Sequence, residues 1–164
     1  MPPIIRQASL DEIEMCREIE CRAGAVFRDT AHPGLADAEA SAPAILRAAQ
    51  ADGLLWIATD DDISVGQLTA AEGPKGLLIV QIDVLPQYQR RGIGRALIAR
   101  AEAEARARAL PGLWLRTFRN IPWNAPFYAK LGFEIIDDID ETVIENESML
   151  GLDISTRVTM RKAF

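Results

Sequence analysis

The chain has two cysteines, one histidine and no long unbroken apolar run, and each shortage closes off a class of function. Cys16 and Cys21 stand five positions apart, so on one helix they point in different directions and cannot bridge; two buried or half-buried free thiols are expected. His32 is alone of its kind and there is no Cys-x-x-Cys or His-Glu-x-x-His spacing, so a zinc site has almost no candidate ligands and no metal is expected. No stretch approaches the ~18–20 apolar residues of a membrane span, and the start, MPPIIRQASLDEIEMC, lacks the basic opening and apolar stretch of a signal peptide. The expectation is a soluble, cytoplasmic protein with no membrane partner. A formal net charge of −6 argues against nucleic acid as a partner. The Gly-Lys-Ser/Thr of a Walker loop is absent, and Leu97 stands where a dinucleotide fingerprint needs a third glycine or alanine.

What is present is enough for a single domain over residues 1–164, because 49% hydrophobic residues in a chain of this length can close a sizeable core. Ile4–Ala8 reads as an edge strand. Ser9 and Glu12 have capping-box spacing, and Leu10, Ile13, Cys16, Ile19 and Ala23 then form one helical apolar face up to Gly24. A loop from Arg28 to Gly34 leads to a second, Ala-rich helix over roughly Ala36–Ala49. Leu54–Thr59 and Ser64–Ala71 flank the turn Asp60-Asp61-Asp62 as a hairpin. Leu77–Leu85 is apolar on both faces at first, as a covered central strand should be, and Pro86 stops it. A helix follows from Gly92 to Leu110, with Ile93, Leu97, Ala101 and Ala105 on its stripe and Glu102–Arg106 and Glu104–Arg108 pairs outside. Leu113–Phe118 is a strand, Trp123–Leu131 a short helix ended by Gly132, Phe133–Ile136 the start of a strand, and Arg157–Lys162 the strand that closes the sheet.

Charge is unevenly placed along these elements. Residues 89–119 hold eight arginines against Glu102 and Glu104, a local net of +6, so the remainder carries −12. An anion is expected in the basic region. Its densest part, Gln89-Arg90-Arg91-Gly92-Ile93-Gly94-Arg95, lies where a strand gives way to a helix. There the first helical N–H groups have no partners, the glycines let a phosphate approach the backbone, and Arg90, Arg91 and Arg95 add charge. Alone, so short a glycine motif is read equally well as a tight turn with solvated arginines.

Val84-Leu85-Pro86-Gln87-Tyr88-Gln89-Arg90-Arg91-Gly92-Ile93-Gly94 resembles the coenzyme-A loop of the GNAT superfamily of N-acetyltransferases, Gln/Arg-x-x-Gly-x-Gly/Ala after a strand ending in Val-x-Pro. Asn124-Ala125-Pro126-Phe127-Tyr128-Ala129-Lys130-Leu131-Gly132-Phe133 is similar to that family's second signature, which ends in Phe-Tyr-x-Lys-x-Gly-Phe; upstream of Phe127 the spacing is shorter here. The resemblance spans roughly residues 77–136. It implies a GNAT-like α/β fold, a strongly twisted mixed sheet of about seven strands flanked by about four helices, splayed between its fourth and fifth strands with acetyl-CoA in the gap. Position by position, it implies cofactor contacts at Ile82, Asp83 and Val84, where the backbone would pair with the pantetheine arm, at Gln89, Arg90, Arg91, Gly92, Ile93, Gly94 and Arg95 around the pyrophosphate, and at Asn124, Phe127 and Tyr128. It implies Tyr128 as the acid that protonates the leaving thiolate, a phenol with a reference pKa of ~10 being protonated at neutral pH. The base stays open among Glu72, Asp83, His32 and water. The acceptor is a primary amine of a small molecule or a protein, and a homodimer is left open.

Between Glu134 and Thr156 stand eight acids (Glu134, Asp137, Asp138, Asp140, Glu141, Glu145, Glu147, Asp153) and no lysine or arginine. That segment would attract a cationic amine or is simply a solvated acidic loop. An alternative of another class is a non-catalytic coenzyme-A-binding or regulatory module with the same fold.

Overall fold

The computed structural model describes residues 1–138 and 141–164; Asp140 of the acidic segment and the side chain of Glu141 lie outside what it describes. Seven strands form one mixed sheet: β1 (Ile4–Gln7), β2 (Leu55–Asp60), β3 (Ile63–Gly73), β4 (Gly76–Val84), β5 (Gly112–Phe118), β6 (Glu134–Ile136) and β7 (Arg157–Ala163). Their order is β1-β2-β3-β4-β5-β7-β6, antiparallel throughout except for β4 beside β5. Among the described residues five α-helices accompany them: α1 (Ile13–Ala23), α2 (Pro43–Ala51), α3 (Ile93–Ala107), α4 (Ala125–Lys130) and α5 (Glu141–Met149).

The central strands are covered on both faces, which is why they read as unbroken apolar runs. Trp56 and Ala58 of β2 join Leu77, Ile79, Leu113 and Leu115 in the core under α3, where Ile93, Leu97, Ala101 and Ala105 dock. Leu55 and Ile57 point the other way, to Ile13 and Cys16 of α1 and Leu46 and Ala49 of α2.

The pairing of β4 with β5 positions the site. It is limited to Leu77 with Leu113 and Leu78 with Trp114. Gly76 and Gly112 make this closed end possible, because a Cβ on Gly76 would collide with the Gly112 carbonyl. Farther along, a register shift between Thr69 and Ala70 in the β3–β4 ladder leaves Val80 as the extra residue, and such a bulge bends and twists its strand. From there to Val84, β4 has no ladder partner on its β5 side.

Several sequence expectations are corrected. The second helix starts at Pro43 rather than near Ala36, since proline suits a first helical position and holds Ala42 extended; Pro33–Asp37 is a separate 3₁₀ turn. Leu10 is 60% exposed, because it belongs to a 3₁₀ turn (Leu10–Glu12) whose phase differs from that of α1. The capping box itself forms, with the Ser9 N–H donating to Glu12 at 2.9 Å. Cys16 is buried, which raises its thiol to about 12, whereas Cys21 is exposed rather than half-buried. The acidic segment is not merely a loop, since Glu134–Ile136 forms β6 and Glu141–Met149 forms α5.

Candidate functional site

The basic loop connects the end of β4 to α3. Arg90 and Gly92 both adopt left-handed backbone (φ 63° and 82°), which Gly92 does without strain. The first helical bond runs from the Ala96 N–H to the Gly92 carbonyl at 3.0 Å, and among the described residues no acceptor meets the N–H groups of residues 90–95. Six successive unpartnered donors at a helix N-terminus suit an anion. Around them, Arg90 and Arg95 are exposed and make no ion pair among the described residues, while Arg91 lies over the Tyr88 ring and 3.6 Å from Asp60. Of the other five arginines of the basic region, Arg100, Arg106, Arg108 and Arg116 are paired with glutamates, and Arg119 is exposed with no ion pair among the described residues.

Not every residue singled out from sequence faces a ligand. The Ile93 side chain is buried in the core, so only its N–H is available. Gln89 donates to the Val84 carbonyl at 3.1 Å and so ties the loop to the strand. Gly94 leaves room for the Phe127 ring, which would lie 3.4 Å from a Cβ there, and this approach brings α4 against the start of α3. Asn124 at the head of α4 has a buried Nδ2 with no partner among the described residues, a donor that a bound carbonyl would satisfy. Tyr128 is buried between Phe127 and Phe133, at ring distances of 5.2 and 5.7 Å. Burial and then the charge of Asp83 push its phenol above the ordinary value, with Arg157 opposing.

Ile82 and Val84 pack toward the α3 core, so strand alternation turns Gln81 and Asp83 to the opposite face. There the Asp83 carboxylate accepts from Gln67 Nε2 at 2.6 Å and Gln81 Nε2 at 3.0 Å, and the buried Gln67 in turn accepts from the Thr69 hydroxyl at 2.8 Å. Burial, and next the charge of Glu20 on α1, push Asp83 up to about 7 against those hydrogen bonds. Glu20 is itself raised by burial, although the Ser41 N–H and hydroxyl donate to it. Of the other bases considered, Glu72 pairs with Arg108 at 3.2 Å beside the closed end of the sheet, and His32 stacks on Phe118 with centroids 4.2 Å apart. Among the described residues no group of three or more His, Cys, Asp and Glu is placed to hold a metal ion.

Sequence reasoning missed Gln67, Glu20 and Arg157, and read Glu147 only as one acid of the acidic segment. Glu147 of α5 is buried and holds Arg116 at 2.7 and 2.9 Å and Arg157 at 3.1 Å. Burial pushes its carboxyl up, but the hydrogen bonds from Arg116 and the charge of Arg157 prevail and leave it below the ordinary range. Arg157 lies 4.6 Å from the Phe118 ring. Gln67 did leave a trace, as a polar residue inside the apolar run of β3; the arginine clamp left none that spacing could show.

On the Asp83 face, at the β5 bank of the gap, lies a cavity of about 370 Å³ lined by residues 29–32 and 120–123 with Phe118 and Thr156. Leu77 pairs with Leu113, so the stretch Ile82–Asp83 and Phe118, each about five residues on, stand at similar heights on the two banks.

Residues 51–135, just over half of the chain, match the family model described as an acetyltransferase (GNAT) domain. Among solved structures, the PaiA N-acetyltransferase of Thermoplasma acidophilum in complex with coenzyme A aligns over 100% of both chains with 16% identity and a TM-score of 0.73. Naa50 of Arabidopsis thaliana, in complex with the bisubstrate analogue CoA-Ac-MVNAL, aligns equally fully with 18% identity and a TM-score of 0.73. A GNAT family acetyltransferase of Brucella melitensis in complex with acetyl-CoA aligns over 81% of this chain and 83% of its own, with 20% identity and a TM-score of 0.59.

Proposed function

The chain belongs to the GNAT acetyltransferase family, and from that premise we propose that it transfers the acetyl group of acetyl-CoA directly to a primary amine. The observation that carries this reading is what β4 brings together. Its edge beyond Leu78 is open and leads to unpartnered amides and free arginines, and on its face away from α3 stands a half-buried carboxyl raised to about 7.

Acetyl-CoA supplies a thioester already activated for attack by an amine. The N–H groups of Arg90–Arg95, with Arg90 and Arg95, hold its pyrophosphate; the free edge of Ile82–Val84 and Asn124 Nδ2 hold the pantetheine arm. On the opposite face Asp83 is the base. An ammonium must lose a proton before it can attack, and a carboxyl with a pKa near neutrality takes that proton where an ordinary aspartate would not. Gln67 and Gln81 fix the carboxylate so that the proton arrives in one geometry.

Tyr128 keeps its proton until the thiolate departs. Protonation of Asp83 removes the negative charge that raises the phenol, so accepting the first proton makes Tyr128 a better donor of the second. The leaving sulfur therefore meets its acid after the amine has met its base.

A panel of amines with detection of free thiol tests the reading. Thiol release that depends on amine supports it, and acetyl-CoA binding without release under any amine would favour a non-catalytic binding module. With a turning-over amine, Tyr128→Phe keeps the ring packing and should lower kcat by ~10²-fold or more while acetyl-CoA affinity holds.

A further inference from the structure

The cavity on the Asp83 face carries information about the acceptor. Its lining is aromatic: Phe118, buried with His32 stacked on it, and Trp123, which is 41% exposed. Phe27 stands behind both, edge-on to Phe118 and to Trp123 at 6.0 Å each, so the walls are held by packing rather than by chance rotamers. The lining includes one carboxylate, Asp29, which makes no ion pair among the described residues, and no lysine or arginine. Arg157 lies against the Phe118 ring, with its Nε and Nη2 already given to Glu147.

Resting on the acetyl-transfer reading, we propose that this cavity takes the body of the acceptor, and that the acceptor is a small primary amine with an aromatic or bulky apolar body and no carboxylate next to the amine. The exposed Trp123 ring binds such a body by stacking and attracts its ammonium before the proton is lost, and Asp29 adds to that attraction. A carboxylate in the same place would be desolvated without a lining cation to meet it. A cavity of this size suits one small molecule.

The test is a matched series with the full chain and acetyl-CoA, read as thiol release: 2-phenylethylamine, phenylalanine, propylamine, and a short peptide with an N-terminal phenylalanine. Binding of the same compounds is measured calorimetrically in the presence of coenzyme A. The expected result is kcat/KM for phenylethylamine at least ~10-fold above propylamine, and phenylalanine and the peptide lower still. Trp123→Ala should shrink the ratio of phenylethylamine to propylamine toward one. A preference for phenylalanine or the peptide, or a ratio that Trp123→Ala leaves alone, overturns the proposal while leaving acetyl transfer intact. If no amine releases thiol, acetyl transfer itself fails; tight calorimetric binding of phenylethylamine then still supports the cavity's preference, and no binding refutes it.

Discussion

Asp83 sits on a strand whose other face is core, and its position forces a carboxyl to titrate where a histidine usually does. The folded chain holds that proton up to about 7, whereas an unfolded chain releases it near 3.9. Two consequences follow with opposite signs. Activity needs the ionised form, so kcat/KM should rise with pH through about 7 and level off above it, and Asp83→Asn should lose that inflexion along with most turnover. Stability runs the other way: between about 4 and 7 the unfolded chain has lost a proton that the folded one keeps, so this residue's contribution falls as pH rises through that window. Melts of Asp83→Asn against wild type should show the difference narrowing toward acid pH. A wild-type rate profile flat from 6 to 8 would remove Asp83 as the base. Residues of this kind were only partly legible in the sequence. Asp83 was visible as an acid on the right strand, but its raised pKa arises from burial and next from the charge of Glu20 on α1, which no local pattern encodes.

At the scale of elements, what could be read was what is written locally. The hairpin of β2 and β3 carries its turn in Asp61 and Asp62, both with positive φ, and α3 carries its stripe and its outer ion pairs. The loop before α3 can be tested on its own terms. A side chain at Gly92 would meet nothing within 4 Å, so Gly92→Val introduces left-handed strain at that residue and no clash elsewhere. The variant should fold, by circular dichroism, and lose the stabilisation that acetyl-CoA gives; retained binding would mean that the amides are not the pyrophosphate cradle. The fifth helix was not legible, because its function depends on arginines 31 positions before and 10 after Glu147. With Arg116 and Arg157 buried against it, Glu147→Gln leaves two cations without an anion and should cost about 3–5 kcal/mol in denaturant unfolding. A loss below ~1 kcal/mol would mean that the clamp is solvated.

The molecule is acidic as a whole and basic around the loop it presents to a phosphate-rich ligand. Of the eight arginines between residues 89 and 119, four are neutralised by glutamates and Arg91 lies near Asp60; of the three without an ion pair among the described residues, Arg90 and Arg95 stand beside the amide cradle. Binding of acetyl-CoA should then have two separable parts. The amides are fixed dipoles in contact with the ligand and little affected by ionic strength, whereas exposed arginines act through solvent and are screened within ~8 Å at physiological salt. At 100 times its dissociation constant the ligand should stabilise the fold by ~2.7 kcal/mol, about 5–10 °C in Tm for a chain of this length. Raising salt from ~0.02 to ~0.5 M should weaken affinity in the wild type. In an Arg90→Ala/Arg95→Ala variant the affinity should begin lower and change less with salt, because the screened part is gone while the amides remain. Equal salt slopes in the two proteins would place the ligand's phosphates away from these arginines, and no Tm shift in either would remove acetyl-CoA from the site.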